Sequence, residues 1–238
     1  MNISLIKYNI SYYAKTLKFI APVLVFTTVH LYLYSRIPVP IWSNFYLTAI
    51  IVFIFTNWIG TSFINSEDRT QQYITRLHIN NETIYHISKI VSILVLMTPF
   101  YILLIFYPIV FGFFVRSLLF IEILAMLIIH FMFSLMGTAV SIFFNVDFHN
   151  QKTVLPLQAL VILVIAVPFA VTFEDNVFVQ YITYLLPPIN FLGQRLHDLD
   201  NGIFILDNNF LIFILYSLGY SLALIVIYIL LIRNKNKH

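Results

Sequence analysis

The stretch SEDRTQQYITRLHINNETIYHISKI, residues 66 to 90, gathers acids, bases, amides and histidines in a chain that is otherwise apolar. It holds carboxylates at Glu67, Asp68 and Glu82, cations at Arg69, Arg76 and Lys89, and imidazoles at His78 and His86. These types can pair charges, cap helices and hydrogen-bond a partner. Their spacing matches no hydrolytic or metal pattern: there is no HExxH, no serine elbow and no pair of intramembrane aspartates, and the seven histidines are scattered over different segments.

A second set of polar residues lies inside apolar runs. Glu122, Met126 and His130 continue into Ser134, Gly137 and Ser141 at steps of three and four, which places all six on one helical stripe. Asn57, Thr61 and Asn65 share a face in the same way. Ionisable groups in a membrane are costly and face the bundle interior or a path. The functional expectation is therefore a translocation path touching Asn57, Thr61, Glu122, Met126 and His130, with Glu122 attracting cationic cargo. The structural expectation is helix packing for Ser134, Gly137 and Ser141, a partner-helix hydrogen bond for Asn57 and Thr61, and an interfacial position for Glu122 close to Arg116.

The elements that hold these residues follow from composition. The chain is 61% hydrophobic and only 10% charged, with a mean hydropathy of +0.91. A soluble domain has about 45–50% apolar and roughly 25% charged residues, so the sequence reads as an integral membrane protein. The absence of cysteine excludes disulfides, thiolate metal sites and cysteine nucleophiles. A net charge of +3 without a basic block excludes nucleic acid as a partner.

A spanning helix needs about 20 mainly apolar residues, and six segments qualify: Phe19–Tyr34, Ser43–Ile64, Ile90–Val110, Ser117–Phe144, Val154–Phe173 and Phe210–Ile232. A tight turn at Gly112–Arg116 separates the third from the fourth. With the N-terminus inside, ten of the 13 basic residues fall in inside segments, and only Arg36, Arg116 and Arg195 fall outside. That asymmetry predicts both termini in the cytoplasm. The basic start followed by an apolar run imitates a signal peptide, but no small-x-small site follows, so the segment is expected to be retained.

Three segments are not spans. Within residues 1–18, Ile6, Ile10, Tyr13 and Leu17 line one helical face and Lys7, Ser11, Lys15 and Lys18 another. This predicts an interfacial helix with its lysines toward anionic lipid headgroups. Residues 174–209 predict two half-buried outer helices broken at Pro187-Pro188, the second with Ile189, Leu192, Leu196 and Leu199 on one face. The opening stretch predicts helix, turn, helix on the cytoplasmic side: Ser66 caps a helix with Glu67 and Asp68 in its first turn, and Asn80-Asn81 start a second, Glu82–Lys89, that runs into the third span. A solvated connector needs fewer residues, so a docking partner is expected there.

Residues 67–89, EDRTQQYITRLHINNETIYHISK, resemble the region after the second span of ABC-2 type transporter permeases. Glu67, Thr70 and Lys89 match that family's acid, threonine and lysine, while Arg69 stands where a glycine is usual and Asn80 where a proline often falls. LLPPINF resembles the proline-containing sequence before the last span. The layout is similar throughout, with an interfacial helix, six spans, both ends inside and two outer helices. The resemblance implies an all-α polytopic membrane protein, residues 1–238 forming a single transmembrane domain, with 65–89 as a cytoplasmic coupling segment and 174–209 as outer re-entrant helices. It implies a permease subunit of an ATP-driven exporter in a bacterial cell membrane. Glu67 and Arg76 would be polar contacts or braces, Thr70 would belong to the same docking site, and His78, Asn81, Glu82 and Tyr85 would form a docking knob.

The chain has no GxxxxGK loop followed by serine or threonine to cradle phosphates, so it is expected to bind no cofactor and to be no enzyme by itself. ATP and Mg would sit on a separate ABC ATPase subunit. A second permease, identical or related, would complete the assembly, with membrane lipids around it. The cargo expected is amphipathic or hydrophobic, a peptide first among such molecules, as in the peptide-export and immunity branch of the family. The alternatives are an ATPase-independent secondary transporter or channel, which an internal repeat or midplane acids would favour, and a membrane scaffold or immunity protein that binds a partner through residues 66–90.

Overall fold

The computed structural model of the chain describes residues 3–79, 81–144, 187–189, 196, 199, 202 and 207–235. The described residues form seven α-helices and no strand: α1 (Ile3–Lys15), α2 (Ile20–Leu33), α3 (Ile41–Ile64), α4 (Arg69–Ile79), α5 (Glu82–Val110), α6 (Phe120–Phe144) and α7 (Asn208–Lys235). The predicted fifth span Val154–Phe173, the segment Val177–Leu186, and Leu192 of the second outer helix lie outside the described residues, as does Asn80.

Helices α3, α5, α6 and α7 are long and apolar enough to cross a membrane. The expected first span is shorter than its apolar run. α2 has 14 residues, or about 21 Å at 1.5 Å per residue, against a hydrocarbon core of about 30 Å. It counts toward a crossing only together with α1, from which it is bent by 84°. Leu17, with a φ of 57°, sits in this bend, and the Lys18 ammonium donates to the Asn65 carbonyl at 3.1 Å.

Helix ends follow local chemistry. The Asn81 side chain accepts the Ile84 N–H at 3.2 Å, and Glu82 lies in the first turn of α5, where the helix dipole favours an anion. The short helix expected over Glu82–Lys89 is thus the start of a 29-residue helix that continues through Pro99 and Pro108 to Val110. At the other end, Gly112 takes a φ of 65°. Its N–H meets the Ile109 carbonyl at 3.3 Å, and the Phe113 N–H meets that of Pro108 at 3.0 Å. This is the left-handed glycine stop that frees the chain to turn, and α6 begins at Phe120, three residues later than the expected Ser117.

The Ser66 cap is corrected. Its hydroxyl donates back to the Phe63 carbonyl at 2.6 Å, which closes α3. Helix α4 starts at Arg69, so Glu67 and Asp68 precede it, and the Asp68 carbonyl accepts the Gln72 N–H at 2.9 Å.

The core sits between α3 and α6. Trp42, Phe45 and Phe53 pack against Met126, Ile129 and Phe133, and Phe210 and Phe213 of α7 close the same cluster. Gly137 makes this approach possible, since a Cβ there would lie 2.6 Å from the Phe53 carbonyl oxygen. Gly60 faces Ser141 in the same way one turn further along. The Ser134–Gly137–Ser141 stripe therefore lets two helices touch. Ile189 and Leu196 are buried in this cluster with Leu199 packed beside them.

Candidate functional site

Where α3 ends and α4 and α5 begin, the polar stretch closes around one carboxylate. Glu67 stands in the turn after α3 and points inward. The Lys89 ammonium lies 2.9 Å from its Oε2, and the Tyr85 hydroxyl donates to the same oxygen at 2.6 Å. The Thr75 hydroxyl lies 3.1 Å from Oε1 while also facing the Gln71 carbonyl at 2.8 Å. Gln72 donates to the Glu67 carbonyl at 2.8 Å. Two helices, α4 and α5, thus converge on an anion supplied by the turn after α3.

The electrostatics follow from that geometry. Burial by itself pushes the Glu67 carboxyl up, but the Lys89 charge and the hydrogen bonds from Tyr85, Lys89 and Thr75 outweigh it and hold the group below its ordinary value of 4.5. Tyr85 is 1% exposed, and both neighbouring cations lie over its ring, Lys89 at 4.7 Å and Arg76 at 5.2 Å. Arg76 reaches on to Glu82 at 3.1 Å, an ion pair in which both side chains remain about 30% exposed, 31% and 28%. Such a pair is worth about 0–1 kcal/mol, so the buried pair dominates the rigidity of the segment.

The node is tied to the rest of the chain on two sides. Toward α1, Asn9 donates to Ser88 at 3.1 Å and Gln71 donates to the Tyr8 hydroxyl at 2.9 Å. Toward α7, the Tyr228 hydroxyl and His86 Nδ1 are 2.8 Å apart in a buried contact. Arg233 meets the Thr83 hydroxyl at 3.0 Å.

The residues assigned to docking separate into two groups. Thr70, His78 and Asn81 are exposed, and Arg76 and Glu82 are half-buried. Glu67 and Tyr85 are buried. In this chain Tyr85 braces α4 against α5 and presents no surface. Two exposed residues that sequence reasoning passed over, Tyr73 at 64% and Leu77 at 62%, stand with Thr70 on the outer face of α4. Their three- and four-residue spacing is the signal that would have found them. His86 and Tyr228 were missed because they lie 142 residues apart in sequence.

The residues assigned to a path lie deeper. His130 is fully buried, with Nε2 3.1 Å from the Thr48 hydroxyl and Nδ1 2.8 Å from the Met126 carbonyl. Met126 is fully buried in the α3–α6 core. Asn57 is buried, and its carbonyl accepts the Thr61 hydroxyl at 2.9 Å. Glu122 is fully buried and held by both Arg116 nitrogens at 2.9 and 2.7 Å, while it accepts the Leu119 N–H at 2.9 Å. Its carboxylate closes the start of α6 and fastens the preceding turn, and Arg116 extends the link to the Gly202 carbonyl at 2.6 Å.

Among the described residues no three His, Asp or Glu side chains converge to hold a metal ion. The node's carboxylate is neutralised by Lys89 and hydrogen-bonded by Tyr85 and Thr75, which ties the turn after α3 to both α4 and α5. Comparison of the chain with protein-family models, with characterised proteins and with solved structures gives no match.

Proposed function

We propose that the chain is the membrane subunit of an ATP-driven exporter of the ABC-2 type, with six spans and both termini in the cytoplasm, and that residues 65–89 dock a separate ATPase. The observation that carries this reading is the pairing of an exposed face with a rigid mount. The outer face of α4 offers Thr70, Tyr73 and Leu77 beside Asn81, and the buried Glu67–Lys89–Tyr85 node fixes that helix to the ends of α3 and α5. A lever needs both properties. A force applied to α4 reaches two spanning helices through a buried ion pair, and α7 through the His86–Tyr228 contact.

In this scheme ATP and Mg sit on the ATPase, a second permease completes the assembly, and the cargo is an amphipathic or hydrophobic molecule, with a peptide first among these. The test is co-purification of the tagged chain from its native membranes, followed by reconstitution of the complex. A Walker-motif ATPase that is retained by the wild-type chain and released by Tyr73→Ala with Leu77→Glu supports the reading. Export that proceeds without any bound ATPase, or labelling of residues 66–79 by impermeant reagents from outside intact cells, overturns it.

A further inference from the structure

A cleft of about 630 Å³ opens between the first turns of α1, the side of α4 away from Thr70 and Leu77, and the start of α5. That volume falls within the range of about 300–1,000 Å³ typical of small-molecule sites. Leu5, Ile74, Ile79 and Ile84 supply aliphatic walls from three helical segments, while Tyr8 and His78 bring polar atoms into the lining. Tyr8 accepts from Gln71, and its own hydroxyl proton has no acceptor among the described residues.

The cleft does not end at its own walls. Along α5 the exposed residues Ile84, Ile87, Val95, Ile102, Phe106 and Val110 follow one helical stripe for the whole length of the helix. This is the lipid-facing side of a span. Ile84 belongs both to this stripe and to the cleft, and half-buried Val91 bridges Ile87 and Val95, so one apolar face of α5 leads from the span to the cleft. Helix α5 is 29 residues long, about 43 Å at 1.5 Å per residue. That exceeds the hydrocarbon core of about 30 Å and matches the full bilayer of about 40–45 Å. The first turns of α5, and the cleft with them, therefore lie at the level of glycerol and headgroup. Lys7 and Lys15 on α1, the helix that supplies Leu5 and Tyr8 to the cleft, are exposed.

We propose that this cleft is a binding site for one anionic phospholipid. Its glycerol and upper acyl methylenes lie between Leu5, Ile74, Ile79 and Ile84, and its tail continues down the α5 stripe. The phosphate takes the free Tyr8 hydroxyl proton and a His78 ring N–H. The α1 lysines favour a negative headgroup by about fivefold for one basic side chain near the surface. The site lies in the segment that also carries the proposed docking face and shares His78 with the residues assigned to docking, but its walls do not include Thr70, Tyr73 or Leu77 and its occupancy requires no ATPase.

The chain contains no cysteine, so single-cysteine variants carry a probe without background. The full chain, with bimane on Ile79→Cys or on Leu77→Cys, is placed in nanodiscs containing phosphatidylglycerol or phosphatidylcholine brominated near the top of the acyl chain. Quenching at Ile79→Cys, stronger by about fivefold in titration midpoint for phosphatidylglycerol and absent at Leu77→Cys, is the expected result. Leu5→Trp narrows the cleft and weakens the quenching. Tyr8→Phe with Lys7→Gln and Lys15→Gln leaves the walls intact and brings the two lipids to equal midpoints, which keeps the test open should the narrowed variant fail to fold. An unquenched Ile79→Cys overturns the proposal. Equal quenching at Ile79→Cys and Leu77→Cys also overturns it, because α4 then lies wholly in the bilayer. Equal midpoints in the unaltered chain overturn the anionic preference.

Discussion

The Tyr85 hydroxyl and the Lys89 ammonium meet on one oxygen of Glu67, at 2.6 and 2.9 Å, one helical turn apart on the same face of α5. Two residues of a long helix thus grip a single carboxylate supplied by the end of another helix. The relationship explains why α4, only 11 residues long, sits rigidly between two spans: the turn that leads into it is pinned from the far side. Tyr85 is held in place by the cations over its ring as well as by the hydrogen bond it donates.

Breaking one half of this pair costs more than removing both. Lys89→Met leaves a buried carboxylate without its counter-ion, a change that destabilises by about 3–5 kcal/mol, whereas replacing both partners with uncharged groups is often close to neutral. Thermal unfolding in detergent is expected to show a large drop for Lys89→Met and recovery of most of it in Glu67→Gln with Lys89→Met. A double variant no more stable than the single one would show that the ion pair is not what holds the node.

The pH dependence has a definite sign. Glu67 is held below its ordinary value of 4.5 in the folded chain, so the folded state binds its proton less readily than the unfolded state does. Its contribution to stability is complete above 4.5 and is lost as pH falls through the lower folded value. Between pH 7 and 5 the wild type and Glu67→Gln should therefore differ by a constant amount, and that difference should shrink from about pH 4.5 downward. A difference that changes between pH 7 and 5 would contradict the assignment.

Close packing of α3 on α6 gives a prediction that does not depend on function. Gly137→Ala places a methyl carbon 2.6 Å from a backbone oxygen of Phe53, an atom that cannot swing aside. The helices must separate, and overpacking of this kind costs about 1–3 kcal/mol. Gly219→Ala, at a position with nothing within 4 Å of the added Cβ, is the control and should leave the melting temperature unchanged or raise it slightly.

Periodicity made the apolar architecture legible, and long-range polar pairing was hidden from it. The four longest helices, the break near Gly112 and the α3-facing stripe of small residues follow from hydropathy, turn chemistry and helical spacing, whereas Leu17, expected on the apolar face of the first helix, is exposed in the bend after α1. The Ser66 cap did not, because a serine two residues after a helix closes that helix as readily as it opens the next, and only the position of Phe63 decides. Glu122 carried two readings, a path residue because an acid in an apolar run stands out and an interfacial residue close to Arg116, and the 2.7 Å pair with Arg116 realises the closeness named in the second. Tyr85 read as surface because its neighbours are polar. Its burial depends on Glu67, 18 residues away, and on Arg76 and Lys89 arriving over its ring, which no local pattern encodes.

The contact between His86 and Tyr228 predicts a separation of binding from transmission. It joins the first turns of α5 to the last turns of α7 at 2.8 Å, and around it Ile90, Ile142 and Tyr228 form a small cluster in which the ends of three helices meet. Arg233 and Thr83 are at the surface of the same junction. Tyr228→Phe removes one hydrogen bond, worth about 0.5–1.5 kcal/mol, and leaves the outer face of α4 untouched. If α4 is where an ATPase grips and α7 is one of the helices it moves, Tyr228→Phe should keep the ATPase bound and its basal hydrolysis unchanged while lowering the cargo exported per ATP consumed. Tyr73→Ala with Leu77→Glu should instead release the ATPase. Measuring retention, hydrolysis and export on both variants distinguishes the two sites, and a Tyr228→Phe chain that exports at the full ratio would show that α7 moves independently of the α5 junction.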